Sequence, residues 1–515
     1  MLKKILALSL AFTFLTGAVT VYARPGDLSF FGGISEGSRL PSTTETLLAQ
    51  NNNRRNNNNN NRDLVYKEIV FLTGVPVTFE GLLRIRGGSP GEDSDLGTFT
   101  ETHTILSSPA TPEDITIARN IQFDVNYRRV GNQIIKDYTV RTWTETITIE
   151  GRVFTLDPLR SSMGVTIIQD RAPAVLYYRG DISKRAVFTE AGDDDAGAEV
   201  TTLEMFGQFY GFDSAWSRAE THRLDATVFT SDWQMQYQIR PSVSMSRTLQ
   251  YHQNEPTAIS FVGNYREVMQ NNSGLEYNIF VKPNEFFHVP DTGRENIATF
   301  YTFEQLIAPD LEFLRGHFAE SDIRRLFSME VLQGDPRFFQ PHQAITRGQF
   351  VTALVRAMNI PVPRPDPRAR ARRNQPIHVI FPDVSEDRPE FPYIMAAFES
   401  GVAIGRLDGN FSIDAHLPRE EAVVIMVRAL GLENLGLDPT PVTSFMDDYR
   451  IAPWARRDIS AAERIGLISH DTAGNFRPRE FLTNAEAAAL LNRLIDYMRT
   501  ELALDYTERI VNFPN

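Results

Sequence analysis

Few residues in this chain have the types and spacing that chemistry needs. The densest acidic run is Asp193, Asp194 and Asp195, with Glu199 four residues beyond. Oxygen clusters of this kind take calcium, but the run lacks the spacing of an EF-hand loop. It reads as an exposed acidic loop, with calcium as the alternative. Trp216, Trp233 and Tyr237 are side chains that stack on sugar rings, yet their strand positions favour a core role. The nine histidines are scattered, and His-Glu-x-x-His, Gly-x-Ser-x-Gly, phosphate-loop and dinucleotide patterns are all absent. There is no cysteine, which excludes disulfides, thiolate catalysis, cysteine-type zinc sites and iron–sulfur clusters. Paired carboxylates for glycoside hydrolysis need not be close in sequence, so a hydrolase stays open as a third reading.

A repeated constellation near the C-terminus is far more informative. Phe339, Phe411 and Phe476 are each followed six residues later by an aliphatic anchor: Ile345, Leu417 and Leu482. The next four residues are Thr346-Arg347-Gly348-Gln349, Pro418-Arg419-Glu420-Glu421 and Thr483-Asn484-Ala485-Glu486. Apolar residues then recur with helical spacing. Repeat one has Phe350, Ala353, Leu354, Ala357 and Met358, and repeats two and three match it from Ala422 and Ala487. Thr, Pro or Asn beside the anchor, with Glu or Gln in the first turn, suits a helix start. An arginine stands eleven residues after every anchor, at Arg356, Arg428 and Arg493. A position repeating inside a helix reads as a stitch between lobes. Upstream, Phe381-Pro382-Asp383 parallels Phe445-Met446-Asp447. Asp408-Gly409-Asn410-Phe411 likewise parallels Ala473-Gly474-Asn475-Phe476, and both read as tight glycine turns.

This combination resembles the S-layer homology family over residues 297–500, about 40% of the chain. The family pattern runs Phe-x-Asp, helix, Asp-Gly-x-Phe-x-Pro, then (Ile/Leu)-Thr-Arg-Ala-Glu opening a second helix. Repeat two matches most of it, with Pro418 in the threonine place. Repeat one lacks Phe-x-Asp and has Gly348-Gln349 for Ala-Glu. Repeat three keeps Phe-x-Asp and Trp454 but has Asn484 for the arginine. The resemblance implies an all-α, pseudo-threefold unit whose inter-lobe grooves bind secondary cell-wall polysaccharide, typically pyruvylated. A ketal carboxylate suits an arginine fork at a helix start, where unpaired N–H groups add to the attraction. Arg347 and Arg419 are therefore the ligand candidates, with Thr346, Asp383, Asp447 and Trp454 from the same motifs. Asn484 brings no charge to the third groove.

Other elements must carry these repeats. Lys3 and Lys4, an apolar stretch from Ile5 to Val19 and Val21-Tyr22-Ala23 predict a secretory signal peptide cut after Ala23. Residues 24–63 predict a tether: Gly and Ser/Thr are frequent, and an asparagine tract from Asn51 to Asn61, broken by Arg54-Arg55, has no apolar face to bury. A strand-forming or partner-binding arm is the alternative.

Residues 64–290 change to period two. Ile121, Phe123, Val125 and Tyr127 alternate with polar residues, as do Trp233, Met235, Tyr237 and Ile239. That predicts antiparallel sheets with one wet face, in one or two sandwich or barrel-like domains. Gly131-Asn132, Gly151 and Asn271 to Gly274 read as turns. The repeats are expected at 297–360, 377–435 and 440–500. Between the first two, 361–376 is a Pro/Arg-rich connector, either solvated or a basic strap over anionic polymer, and 501–515 is a tail.

The chain has 515 residues and a formal charge of −13, a poor match to nucleic acid. The expectation is an exported, non-catalytic surface protein, with no transmembrane segment in the mature chain. It is anchored by its repeats, and its β-rich region self-assembles into a layer, sheath or filament. A wall-anchored adhesin or glycan receptor is the rival reading.

Overall fold

In the computed structural model, residues 30–36, 62–88, 94–190, 199–252, 264–283, 290–297, 301–360, 362, 381–406, 408–436 and 440–502 are described. The expected signal peptide, most of the tether, Asp193 to Asp195 and nearly all of the Pro/Arg connector lie outside them.

The N-terminal region is one antiparallel sheet of fifteen strands. In chain order they are β1 (Ile34–Glu36), β2 (Arg62–Val70), β3 (Val77–Gly87), β4 (Leu96–Ser107), β5 (Ile115–Val130), β6 (Gln133–Ile149), β7 (Arg152–Leu156) and β8 (Ser162–Arg171). Then follow β9 (Val175–Glu190), β10 (Val200–Ser214), β11 (Ser217–Phe229), β12 (Gln234–Tyr251), β13 (Tyr265–Val281), β14 (Thr292–Glu295) and β15 (Tyr301–Gln305). The path is a meander, with β8 bridging β6 and β9. The sheet curls until β1 lies beside β12 and β13, and Lys67 of β2 pairs with Glu295 of β14 at 3.8 Å.

Alternation sorts the two faces of the sheet. On β5, Ile115, Ile117, Ile121, Phe123 and Val125 face a shared interior, while Thr116, Asn120, Gln122 and Asp124 face out. Because β14 and β15 both pair with β13, the β-rich region runs to Gln305 rather than 290. Asn271 to Gly274 are not a turn: they lie inside β13, where the full-length ladder with β12 overrides their local preference.

The interior also holds charge. Arg119 donates to both oxygens of Glu68 at 2.8 and 2.9 Å and pairs with Glu145 at 2.6 Å, which also accepts from the Trp143 indole. Burial, with Arg119 nearby, pushes the Lys184 amine down to about 8. Buried charges are tolerated because they are paired and hydrogen-bonded.

The C-terminal region is helical: α1 (Glu320–Ser328), α2 (Arg347–Ala357), α3 (Phe391–Glu399), α4 (Arg419–Leu430), α5 (Arg456–Arg464) and α6 (Asn484–Asp496). Among the described residues, no helix is long and apolar enough to cross a membrane. Thr346 and Thr483 close capping boxes with Gln349 and Glu486, and Gly431 ends α4 in the left-handed conformation.

The two regions share a core. Val175, Tyr177, Phe212 and Trp216 pack among the helices. The last carbonyls of a helix have no partner within it, and here the sheet supplies donors. Trp216 Nε1 donates to Ala357 O at 2.8 Å, Ala174 N to Ala429 O at 2.9 Å and Tyr177 OH to Leu430 O at 3.1 Å. The Ser217 hydroxyl donates to Met498 O, just past α6. Each of the three repeats is thus gripped at its C-terminal end.

Candidate functional site

The helix starts of the three repeats are closed into a ring. Arg347 N and Gly348 N of α2 donate to Ala415 O and Ile413 O of repeat two, both at 2.9 Å. Arg419 N and Glu420 N of α4 donate to Glu480 O and Pro478 O of repeat three, again at 2.9 Å. Asn484 N and Ala485 N of α6 return to Gln343 O and Pro341 O of repeat one, at 2.8 and 3.0 Å. Isolated bridges Thr346 with His416, Pro418 with Phe481 and Ala344 with Thr483 follow the same cycle. Free N–H groups of each first turn are thus capped by the next lobe.

Side chains repeat the cycle. Arg347 of α2 pairs with Glu421 in the first turn of α4, and Arg419 of α4 pairs with Glu486 in the first turn of α6 at 2.5 Å. The third junction would join Asn484 to Gln349, and both are neutral. Asn484 instead donates to Gln340 O at 2.9 Å. Both departures, Gln349 and Asn484, are visible in the sequence, but only Asn484 is weighed there against the third groove. The missed signal is that the arginine and the glutamate of the pattern are lost together, at the two positions that one junction joins.

The two arginines differ. Arg347 is 4% exposed, donates to Ile404 O at 2.7 Å and lies over the Phe411 ring at 4.8 Å. Burial, with Arg406 and Arg428 nearby, pushes its pKa down to about 10, so it stays charged at neutral pH. The Arg419 side chain is 20% exposed. Arg419 and Glu486 therefore form the more accessible charged junction. The Glu486 carboxyl is held below its usual range against the cost of burial, by the Thr483 backbone N–H and Arg419.

The other sequence candidates divide into braces of the backbone and exposed groups. Thr346 caps α2 through its hydroxyl. Asp383 accepts from Phe411 N at 2.8 Å and Ser412 N at 2.6 Å; Asp447 accepts from Phe476 N and Arg477 N, both at 2.8 Å. Ser412 and Arg477 have φ of 61° and 58°, so these carboxylates brace strained turns that follow Gly409 and Gly474. Trp454 is exposed, as is Tyr449 on the preceding short helix. Arg356 ties α2 to repeat two, donating to Tyr393 OH at 2.6 Å, as a stitching residue should. Trp216 is core, as expected, but in the seam between the regions rather than inside the sheet.

The family model for the S-layer homology domain matches residues 314–351, 380–423 and 444–488. The helical region is a set of three S-layer homology domains. Relatives match over a limited stretch. An endoglucanase of Bacillus sp. (strain KSM-635) is 32% identical over 148 residues, 28% of this chain and 15% of that protein. The exoglucanase XynX of Acetivibrio thermocellus is 27% identical over 191 residues, 36% of this chain and 16% of that protein. The surface-layer 125 kDa protein of Lysinibacillus sphaericus is 26% identical over 195 residues, 37% of this chain and 15% of that protein. The chain thus matches about a sixth of the length of these relatives. S-layer homology domains bind cell-wall polysaccharide in general, and they place this chain at the cell surface.

Proposed function

We propose that this chain is a non-catalytic structural protein. Its S-layer homology grooves hold wall polysaccharide, and its β-rich region projects outward and assembles with neighbouring copies. The orientation of the repeat helices carries the reading. Their C-terminal ends are fixed to the sheet, so their starts lie at the far end, roughly 16–20 Å away for helices of this length. The arginine-bearing junctions therefore lie at the helix ends that the sheet does not hold, with Arg419 the more accessible of the two arginines. A carboxylate-bearing sugar would meet Arg419 beside Glu486 as a competing acceptor. Trp454 supplies an exposed aromatic face on repeat three.

S-layer proteins and glucan-cleaving enzymes both carry such repeats, so the repeats do not set the activity of what they anchor. The non-catalytic reading takes Arg119, Glu68, Glu145 and Lys184 as structural. This dense titratable group is buried in the sheet interior, with Arg119 bound to both glutamates. A glycan-binding adhesin is the second reading, favoured by exposed Phe280, Tyr301 and Phe303 on β13 and β15.

The test is sedimentation of the full chain with purified wall sacculi. Binding that is lost when pyruvate ketals are stripped supports the anchor. A chain that stays in the supernatant with intact sacculi overturns it.

A further inference from the structure

Residues 30–36 lie within the expected tether, yet Phe30, Phe31, Ile34 and Ser35 are buried. Phe30 is 1% exposed and Ile34 is not exposed at all. The Phe30 ring stacks on His103 at 5.4 Å and meets Tyr138 edge-on at 5.3 Å. Phe31 lies under the Arg119 guanidinium at 4.8 Å and the Lys184 ammonium at 5.6 Å. Gly32 has φ of 92°, and a Cβ there would come within 2.6 Å of Ile239 Cδ1, so the interior is shaped to this segment. The tether expectation is thus wrong for these residues: the apolar run ahead of the asparagine tract belongs to the core.

The segment is joined to the fold in an unusual way. Among the described residues its backbone ladder is the three-residue pairing of β1 with β2, while β2 to β15 pair with one another without it. The receptor is therefore built from residues 62–305, and the insert comes from chain that precedes them. Residues 37–61 separate the two, a stretch that can span up to roughly 85 Å. Nothing in that length ties an insert to its own sheet.

We propose that Phe30–Glu36 is an exchanged arm, filling the sheet interior of a second copy of this chain. The contacts made are identical in either arrangement, so the choice rests on concentration. Residues 37–61 join the arm to its own sheet, and a link of that length sets an effective concentration in the millimolar range. Neighbouring copies packed on a surface reach comparable local concentrations. Because the arm and its receptor are different surfaces, exchange runs head to tail and generates open chains of subunits. This inference rests on the assembly reading above and gives it a mechanism.

The cysteine-free sequence makes the test direct. Glu36 and Val65 are opposed in the β1–β2 register, at a separation a disulfide can bridge. The full-length Glu36→Cys/Val65→Cys chain is refolded from denaturant at low and high concentration, oxidised, and run on a non-reducing denaturing gel. Ile34→Cys/Lys67→Cys, the next-but-one opposed pair, serves if the first variant does not fold. Exchange gives a covalent ladder whose share rises with concentration and is greatest in sedimented assemblies. Mixing the two single-cysteine chains then gives the mixed disulfide dimer. Bonds confined to single chains at every concentration overturn the proposal. If the protein still assembles under those conditions, only exchange is lost; if it stays monomeric, the assembly reading falls with it.

Discussion

Replacing Arg347 and Arg419 singly by alanine should give opposite signatures, although the two hold equivalent places in the repeat. Arg347→Ala removes the bond to Ile404 O, the ion pair with Glu421 and the cover of the Phe411 ring. Glu421 is left with Arg406 at 3.7 Å. Breaking one side of a buried pair costs about 3–5 kcal/mol. For a region of this size that lowers the melting temperature by roughly 6–20 °C. Arg419→Ala leaves Glu486 still bonded to Thr483 N at 2.9 Å, and both partners are partly exposed. Its stability cost should be about 1 kcal/mol or less. If Arg419 grips a carboxylate on the polymer, its loss weakens wall binding by about 1.5–3 kcal/mol, or roughly 10- to 150-fold. Calorimetry and a sedimentation isotherm on sacculi, run on the same full-length preparations, separate the two effects. The reasoning is refuted if Arg347→Ala melts like the parent. It is equally refuted if Arg419→Ala loses stability while its wall affinity is unchanged.

Trp216→Phe keeps most of the packing but leaves Ala357 O without its donor, at a cost of about 1–3 kcal/mol; sheet and helices should still unfold in one transition, whereas Trp216→Ala should split it in two on a calorimetric scan. A single unchanged transition in the alanine variant would show that the seam does not couple the regions. Gln349→Glu with Asn484→Arg should install the missing third charge pair, so the double substitution should be more stable in urea than the sum of the two single ones; additivity would mean those positions do not meet. Burial pushes the Asp458 carboxyl up to about 6 from 3.8. Folding then favours its protonated form, so its contribution to stability falls as pH rises from about 4 to 6, by up to about 3 kcal/mol. Asp458→Asn should raise the urea midpoint at pH 7 and change it much less at pH 4; equal shifts at both would assign the effect to something other than ionisation.

Local sequence determined what each segment is. Period two on β5 and β12 placed Ile121, Phe123, Val125, Met235, Tyr237 and Ile239 inside before any partner strand was known, because a strand's two faces follow from alternation alone. The helix starts at Thr346 and Thr483 were legible for the same reason: a cap and its N3 partner lie within four residues. Three repeats in register were enough to indicate the family and hence the cell surface. Tertiary structure decided which segment meets which. Arg347 meets Glu421, and Asn484 meets Gln340, across separations that no periodicity spans. Trp216 was readable as buried, but only the docked helix ends show that it closes a seam between regions. Phe30, Phe31 and Ile34 carry no period of their own beside the asparagine tract. Their place in the core follows from the shape and charge of an interior assembled from strands far along the chain. A short apolar run acquires structure only when a cavity exists to receive it.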